Sequence, residues 1–539
     1  MTLLLNRFRI TRAFVFMCAV VLAAGLGASD ASAQNTAFRQ AVAEAASGNE
    51  ALAEFYRTRN YEAVWTGRAG RDRSRRRAFL SALAKAGDHG LPVARYNPEE
   101  IRSMLRAARS PRERGLAEVK LSEMYITWAT DLRSGVIRNP RRIDDGIVRE
   151  IARPAPASLM NALVESSPNA LFRSFAPRTP EYTRLMEEKT RFERLLARGG
   201  WGATVPGSKY EPGASGAGVV ALRDRLIAMD YIRRSTTQTY DGTIQAAVQQ
   251  FQIDHGLNPD GVAGEGTLRE INTPAANRLA SIVVAMERER WVNQERGSRH
   301  VLVNIPDFQA QIIDNGQVTF QTRSVVGAND SDRRTPEFSD IMEHMVINPT
   351  WNVPRSIAVK EYLPMMQRNP GAAGHLRLVN ASGQTVDRAG IDFSQYNERT
   401  FPFNLKQPPS RRNALGLVKF MFPNRYNIYL HDTPAKNLFS RETRAFSHGC
   451  IRLNDPFDFA YALLAPQVSN PETYFQERLA SGNERVVPLA TPVPVHLIYR
   501  TAVTQPRGKI NFRRDIYGRD AKIWDHLKNA GVELRARRG

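Results

Sequence analysis

The chain contains a cysteine in a short polar segment that also has the residue types needed to activate a thiol. Cys450 lies in Ser447-His448-Gly449-Cys450-Ile451-Arg452-Leu453, a short way downstream of Tyr429-Leu430-His431-Asp432-Thr433-Pro434. Thiolate is the reactive form of cysteine, so the thiol needs a nearby imidazole to take its proton, and the resulting ion pair favours the thiolate. The two segments therefore predict a cysteine nucleophile with a histidine base.

Two histidines compete for the role of base. His431 lies at the end of a predicted strand, whereas His448 lies two residues before the thiol. A ring on an adjoining strand can point at the sulfur, but side chains two residues apart on a tight turn often diverge. We therefore predict that His431 is the general base and that His448 shapes the turn.

The residues beside the thiol indicate how an acyl intermediate would be held. Gly449 allows close backbone approach, so its N–H and that of Cys450 can form an oxyanion hole. Arg452 can hold a substrate carboxylate through its planar fork. A structural ion pair is the alternative role for Arg452, because arginine serves both purposes.

An inert buried thiol is the other reading of Cys450, because a lone cysteine in an apolar strand is most often a core residue. The neighbours of Cys450 are polar, include a glycine, and follow a second histidine at a short separation. This surrounding sequence favours a reactive thiol.

Residues 1–33 have the layout of a cleavable secretory signal. A basic start precedes an apolar stretch from Ala13 to Leu26, and Ala31-Ser32-Ala33 precedes Gln34. Cleavage would remove Cys18 and leave Cys450 without a disulfide partner. We predict export to the periplasm or cell envelope with no permanent membrane span, since no segment is apolar for the ~20 residues that a span needs. An uncleaved signal acting as an anchor is the alternative.

Composition indicates a globular, multidomain protein. The chain has 539 residues, 42% of them hydrophobic, and a formal net charge of +21. A chain of this length buries more than one core. Basic runs such as 71–77 occur without a nucleic-acid recognition module, so we predict no nucleic-acid partner. Attraction to an anionic envelope, or simply a solvated arginine-rich surface, accounts for the charge. We expect a monomer.

The pattern of helical and strand signals predicts a multidomain α+β architecture. Helical spacing, as in Leu121, Tyr125, Trp128 and Leu132, dominates the first part of the chain, and strand patterns begin beyond Arg299. The expected parts are a signal at 1–33, a helical scaffold at 34–200, a linker at 201–215, a small three-helix module at 216–273, a β-rich catalytic domain at 298–500, and a tail at 501–539 that packs on the catalytic domain.

The small module resembles the three-helix type of peptidoglycan-binding domain. The matching positions are mainly core and turn residues: Leu222, Leu226, Gly242, Ala247, Val248, Phe251, Gln252, Gly256, Leu257, Asp260, Gly261, Gly264 and Thr267. They support the fold more than they locate a glycan site. A brace for the enzyme and an active glycan binder are therefore both open roles.

An insertion at about 356–412 interrupts the strand pattern of the catalytic domain. It contains a predicted helix around Ile357 to Met366, followed by Gly, Pro and polar residues. Long insertions of this kind are either functional lids or peripheral segments without a role in the site. We favour a lid, because its return leads into the strand that carries His431.

The Cys450 and His431 segments closely resemble the catalytic signature of the L,D-transpeptidases, in their large lid-bearing branch with an N-terminal scaffold and a peptidoglycan-binding domain. Asn348-Pro349-Thr350-Trp351-Asn352-Val353-Pro354 is similar to a segment that borders the site in that branch. The resemblance implies that His431 is the base, Cys450 the acyl carrier, and Ser447, His448, Gly449 and Arg452 the surrounding pocket. Tyr429, Trp351 and Asn348 are further pocket candidates, and either Asp432 or a backbone carbonyl orients His431.

The same resemblance implies a cell-wall reaction that needs no cofactor and no metal. Cys450 would attack a tetrapeptide stem of peptidoglycan, release its terminal D-amino acid, and pass the acyl group to the diaminopimelate amine of a neighbouring stem, closing a 3-3 cross-link. A rival enzyme class is a hydrolase with the same nucleophile, acting as an L,D-carboxypeptidase or detaching wall-linked proteins. A rival of another kind is a non-catalytic peptidoglycan-binding protein.

Overall fold

The computed structural model describes residues 35–292 and 296–537. The predicted signal at 1–33, with Cys18, lies outside these residues. Among the helices of the described ranges, none is both long enough and apolar enough to cross a membrane.

The first part of the chain is helical. Its longest early helix begins at Pro111 behind a capping box formed by Ser110 and Glu113, and it ends before Gly135, whose φ is +88°. The helices are α1 (35–46), α2 (Glu50–Thr58), α3 (Gly70–Ala84), α4 (Pro98–Ala107), α5 (Pro111–Ser134), α6 (Pro156–Glu165), α7 (Pro168–Ser174) and α8 (Pro180–Ala197). Their core is rich in edge-to-face aromatic pairs, including Trp65, Phe79, Tyr125, Trp128 and Phe172.

The helical core also includes residues from far along the chain. Helix α12 (Ala275–Trp291) and helix α17 (Arg519–Asn529) pack into it, and α12 contacts both α8 and α17. The tail was expected on the catalytic domain. Its apolar residues Phe512, Ile523 and Leu527 instead lie in the helical core, because they form one face of a segment that must bury them somewhere. The tail also packs on the catalytic domain, as expected: Tyr517 and Ile516 lie in a cluster with Ile305, Phe308 and Val326, and Arg513 pairs with Asp307.

The small module has three helices, as the sequence predicts. They are α9 (Ala217–Ala228), α10 (Gly242–Asp254) and α11 (Glu265–Ile271), and Asp241 caps α10 by accepting from Thr243 and Ile244. Residues 201–215, predicted as a linker, are fixed to this module. Val205 is buried in the module core. The Asn272 side chain accepts from the Val205 N–H and donates to the Val205 carbonyl, each at 2.8 Å.

The last part of the chain is built on one sheet of nine strands. In chain order its members are β1 (Arg299–Asn304), β2 (Gln309–Asp314), β3 (Gln317–Gly327), β4 (Phe338–Ile347), β9 (Val418–Met421), β10 (Leu430–His431), β11 (Ala445–Ser447), β12 (Ile451–Leu453) and β13 (Arg485–Ile498). Their spatial order is β11-β3-β12-β10-β9-β4-β13-β1-β2, and β2 also pairs with β3, so the sheet closes on itself. Helices α15 (Pro456–Leu464) and α16 (Pro471–Ala480) share its apolar core.

The insertion between β4 and β9 has its own core. It holds strands β5 (Trp351–Asn352), β6 (Arg377–Val379), β7 (Thr385–Val386) and β8 (Asn404–Gln407) in a four-stranded sheet, and helices α13 (Arg355–Ile357) and α14 (Leu363–Arg368) joined by a π-helical turn at Ala358–Tyr362. A two-stranded sheet, β14 (Ala502–Val503) with β15 (Asn511–Phe512), precedes α17. The predicted α+β class, helical first and β-rich last, is confirmed.

Candidate active site

Strands β10 and β12 bring the two predicted catalytic segments together. They pair in parallel, with Leu430 opposite Ile451 and His431 opposite Arg452, and Ile451 N–H donates to the Tyr429 carbonyl at 3.1 Å. Leu430 and Ile451 are buried in the core of the sheet. Because side chains alternate along a strand, Tyr429, His431, Cys450 and Arg452 project from the opposite face as one group.

His431 is held by the backbone of its own neighbour. Its side chain is buried, and Nδ1 lies 2.5 Å from the carbonyl oxygen of Asp432. A carbonyl only accepts, so Nδ1 carries the proton and Nε2 holds the lone pair of the neutral ring. The backbone of Leu415 also forms a hydrogen bond with the ring. The sequence left open whether the Asp432 carboxylate or a backbone carbonyl orients His431. In the structure, the backbone carbonyl of Asp432 orients the ring. The Asp432 carboxylate instead accepts from Leu417 N–H at 2.9 Å and from Lys436 at 2.8 Å.

The Cys450 thiol is half-buried and donates to the backbone carbonyl of Asn427 across 3.4 Å. No hydrogen bond joins it to His431 within the described ranges. Burial raises the pKa of the Cys450 thiol to about 11, outweighing hydrogen bonds from Tyr429 and the charges of Arg452 and Lys419. Burial and, next, the charge of Arg452 lower the pKa of His431 to about 3. Contrary to the sequence-based expectation of a thiol acidified by an imidazole, both groups are neutral at rest.

The turn before the thiol is fixed by Ser447. Its Oγ donates to the carbonyl of Cys450 at 2.5 Å and accepts the Gly449 N–H at 3.1 Å. Gly449 has φ +109°, and a Cβ there would lie 3.0 Å from Ile428 Cδ1, so glycine suits both the conformation and the space. The sequence predicted the Gly449 N–H in an oxyanion hole, but this N–H already donates to Ser447 Oγ. The N–H of Cys450 has no hydrogen-bond partner among the described residues.

Two cations lie on the thiol face. Arg452 Nε is buried without a hydrogen-bond partner, and burial lowers the pKa of this guanidinium. Lys419 is the register partner of His431 on β9, and its Nζ lies 6.0 Å from the centre of the Tyr429 ring. Neither forms an ion pair within the part of the chain that the structure describes. No carboxylate pairs with Arg452 there, so the structure does not support its alternative role in a structural ion pair.

The insertion lies against this face. Tyr429 packs on the insertion core, which includes Trp351, and the Tyr429 ring lies 5.6 Å from that of His431. His448 is exposed and its Nε2 contacts Glu361 of the π-helical turn at 2.5 Å. Beside it, Lys360 pairs with Asp332 at 2.8 Å. His448 therefore contacts the insertion, and no hydrogen bond joins it to the Cys450 thiol among the described residues.

Asn348 is not part of this group. Its side chain is buried and donates to the carbonyls of Leu479 at 3.0 Å and Asn483 at 3.3 Å, and its φ of +51° is a left-handed turn. It holds the end of helix α16. Sequence reasoning missed Lys419 and Asn427. For Lys419 the available signal was its place in a short β-like run, Val418 to Met421, but the pairing of that run with β10 is a long-range fact.

The comparisons with known proteins match three parts of the chain. Residues 298–495 match the family model of the L,D-transpeptidase catalytic domain, residues 50–188 match a scaffold domain, and residues 215–271 match a "Putative peptidoglycan binding domain". A protein of Haemophilus influenzae described as "Putative L,D-transpeptidase" is 34% identical over 236 residues, which are 42% of this chain and 47% of that protein. The chain thus spans about half the length of this curated relative.

Several solved structures are also similar to the chain. Two of them are L,D-transpeptidases from Xylanimonas cellulosilytica (residues 123–326) and Stackebrandtia nassauensis, each 14% identical, with TM-scores of 0.18 and 0.22. The matches cover 54% and 55% of this chain and 98% and 97% of theirs.

The matched domains describe three parts of the chain. Residues 298–495 form a domain of the L,D-transpeptidase catalytic type. It follows a scaffold domain and a peptidoglycan-binding domain, as the sequence resemblance implies.

Proposed function

We propose that this protein is an exported cell-wall enzyme that joins two peptidoglycan stem peptides through a thioester on Cys450. The observation that carries the proposal is the placement of Cys450, His431 and Arg452 on one face of two paired strands, inside the residues that match the catalytic domain. Acyl transfer from a carboxylate-bearing peptide requires a nucleophile, a base that can accept a proton and a cation that binds the carboxylate.

In the first half-reaction, the Cys450 sulfur attacks the carbonyl carbon between an L-centre and the terminal D-residue of a tetrapeptide stem. His431 Nε2 takes the thiol proton as the carbon–sulfur bond forms. The tetrahedral intermediate then breaks its carbon–nitrogen bond, and the imidazolium returns the proton to the departing amine. The products are a thioester on Cys450 and a free D-amino acid.

In the second half-reaction, the side-chain amine of diaminopimelate in a neighbouring stem attacks the thioester. His431 takes a proton from that amine, the carbon–sulfur bond breaks, and the sulfur regains a proton. The product is a 3-3 cross-link. Because the resting thiol is neutral, proton transfer accompanies attack, and His431 acts as a general base and not as the partner of a preformed thiolate.

The two unpaired cations fit the charge of the donor peptide. The terminal D-residue and diaminopimelate both carry carboxylates close to the scissile bond. Arg452 binds one of them through its planar fork, and Lys419, from the neighbouring strand, supplies a second positive charge. The partner is thus peptidoglycan, reached in the periplasm or cell envelope, with the peptidoglycan-binding domain retaining the enzyme on the wall.

Intact-mass spectrometry tests the nucleophile. The wild-type protein should gain the mass of one carbapenem, and Cys450→Ala should gain none. His431→Ala should keep its fold and acylate far more slowly, because the thiol loses its base. An adduct on Cys450→Ala, or full activity of either variant on tetrapeptide muropeptides, would contradict the assignment.

Muropeptide products separate the proposal from its rivals. With purified tetrapeptide muropeptides, the wild-type enzyme should give cross-linked dimers. Tripeptide alone would identify an L,D-carboxypeptidase. Binding to isolated sacculi without any adduct or product would identify a non-catalytic wall-binding protein.

A further inference from the structure

Every peptide group around the thiol is fixed by a hydrogen bond. Ser447 Oγ holds the Gly449 N–H on one side and the Cys450 carbonyl on the other. The group between them, which joins Gly449 to Cys450, is held by a different residue. Thr335 Oγ1 donates to the Gly449 carbonyl at 2.7 Å.

The bond from Thr335 determines where the Cys450 N–H points. A trans peptide is planar, so its carbonyl and its N–H project in opposite directions. Anchoring the Gly449 carbonyl on Thr335 therefore aims the Cys450 N–H away from the loop at 328–337. This N–H is the backbone donor next to the thiol that has no partner among the described residues. It is free to receive the oxyanion that forms when a carbonyl carbon bonds to the sulfur.

Thr335 is itself fixed from several sides. It is fully buried, and its Oγ1 accepts the Gly327 N–H at 2.9 Å. The loop passes so close to β3 that a Cβ on Gly327 would lie 2.0 Å from the Arg333 carbonyl oxygen. The hydroxyl of Tyr517 donates to the Gly327 carbonyl at 2.6 Å and accepts the Thr335 N–H at 3.3 Å.

Arg519 completes the support. Its Nη2 donates to the Thr335 carbonyl at 3.1 Å, and its other nitrogens face Asp144 of the helical domain and Glu337, just before β4. A fully buried guanidinium that satisfies two carboxylates and a carbonyl is costly to displace. Tyr517 and Arg519 thus hold Thr335 from outside the matched catalytic domain.

We propose that Thr335 is a positioning residue for acyl transfer, which orients the Cys450 N–H as the oxyanion donor and is held in place by Tyr517 of the C-terminal segment. This inference rests on the proposed function of Cys450. It predicts a defect confined to steps that pass through a tetrahedral oxyanion. Alkylation of the thiol does not form one, so it should be insensitive to Thr335.

The test compares two reactions of Cys450 in the full-length protein. Acylation by a carbapenem passes through an oxyanion, and alkylation by iodoacetamide does not. Thr335→Val keeps the shape but loses the hydroxyl, and we expect it to acylate roughly 10- to 100-fold more slowly, below the loss seen when a donor is removed outright. Its alkylation rate should stay within about twofold of wild type, and Thr335→Ser, which keeps the hydroxyl, should restore acylation.

The outcomes separate this inference from the proposed function. Wild-type protein that never acylates would overturn the function of Cys450 itself. Wild-type protein that acylates, with Thr335→Val acylating at the same rate, would overturn only the role of Thr335. Equal slowing of acylation and alkylation would also overturn it, since it would indicate general disturbance of the turn. If Thr335→Val does not fold, Tyr517→Phe decides: slower acylation with normal alkylation supports the role, and unchanged acylation rejects it.

Discussion

His431 and Arg452 are register partners on the parallel strands β10 and β12, so an imidazole and a guanidinium lie side by side on the thiol face. Burial is the main reason why the pKa of His431 falls to about 3, and the charge of Arg452 is the next. A ring with this pKa stays neutral and able to accept a proton throughout the physiological range. Arg452, which we propose binds the donor carboxylate, therefore adds to the effect of burial in keeping the His431 ring unprotonated.

Alkylation of Cys450 should report a neutral resting thiol. With a thiol pKa of about 11, the rate of reaction with iodoacetamide should rise steadily from pH 7 through pH 10, since the thiolate fraction grows about tenfold per unit below the pKa. The measurement is the adduct mass against time across a pH series. A rate that is already constant below pH 8 would indicate a preformed thiolate–imidazolium pair and would contradict a neutral resting thiol.

Removing either cation of the thiol face should weaken donor binding. We expect Arg452→Gln to raise the KM for a tetrapeptide donor roughly 10-fold or more, as the loss of a charge-assisted hydrogen bond of about 1.5–3 kcal/mol implies. Lys419→Gln should have a smaller effect in the same direction, because Lys419 is half-exposed. Arg485→Gln, at an exposed position of β13, is the matched control. Unchanged KM in both pocket variants would remove the carboxylate-binding role.

The local motif made the centre of this site predictable, and the long-range pairing made the rest unpredictable. Two short segments contain Cys450, His431 and Arg452. Their residue types alone predict a nucleophile, a base and a cation. Lys419 reaches the same face only through the pairing of β9 with β10, and the orienting group of His431 is a carbonyl, which no residue type encodes. Asn348 was expected in the pocket because its segment resembles one that borders the site in the family, but its left-handed turn directs it to the end of α16.

The helix α12 shows a second limit of sequence reading. Its end, Glu287-Arg288-Glu289-Arg290, has the alternating charges of a solvated surface, yet all four side chains are buried. Each finds an opposite charge, as in the pairs of Arg288 with Glu337 and with Asp520. Arg290 pairs with Glu287 within the helix, but the partners of Arg288 come from the catalytic domain and the tail, so a window along the chain cannot reveal them. The three-helix module was predictable in detail because its contacts are local.

The contact between His448 and Glu361 should affect the choice of acceptor. It joins the catalytic turn to the insertion, and we expect Glu361→Gln to admit more water and raise the ratio of tripeptide to cross-linked dimer. The change should be at most about fivefold, since an exposed pair contributes about 0–1 kcal/mol. Muropeptide analysis measures the ratio, with Glu472→Gln on α16 as the control. An unchanged ratio would mean that the insertion does not exclude water through this contact.

Buried neutral histidines should make the fold sensitive to acid. Burial lowers the pKa of His89 and of His431 to about 3 and that of His496 to about 4, and it lowers that of His255 as well. These groups bind protons in the unfolded chain below about pH 6.5 but not in the folded one, so stability falls as pH drops from about 6.5 towards 4. Each contributes up to about 1.4 kcal/mol per pH unit in that window.

Thermal denaturation at pH 7 and pH 5 checks this expectation. The melting temperature of the wild-type protein should be clearly lower at pH 5. In His255→Phe, which keeps a ring stacked on Phe251, the drop for the small module should be smaller. Equal melting temperatures at both pH values would show that these imidazoles do not control acid stability.

The support of Thr335 by Tyr517 and Arg519 bears on the order in which the enzyme matures. As the chain is synthesised, the nucleophile and its base emerge before the residues that brace the turn beside them. On the proposed role of Thr335, a nascent or cleaved chain without Tyr517 would have the thiol but would lack the alignment, so acylation would begin only when the C-terminal residues have docked. The order of the residues along the chain would then protect the thiol from premature acylation.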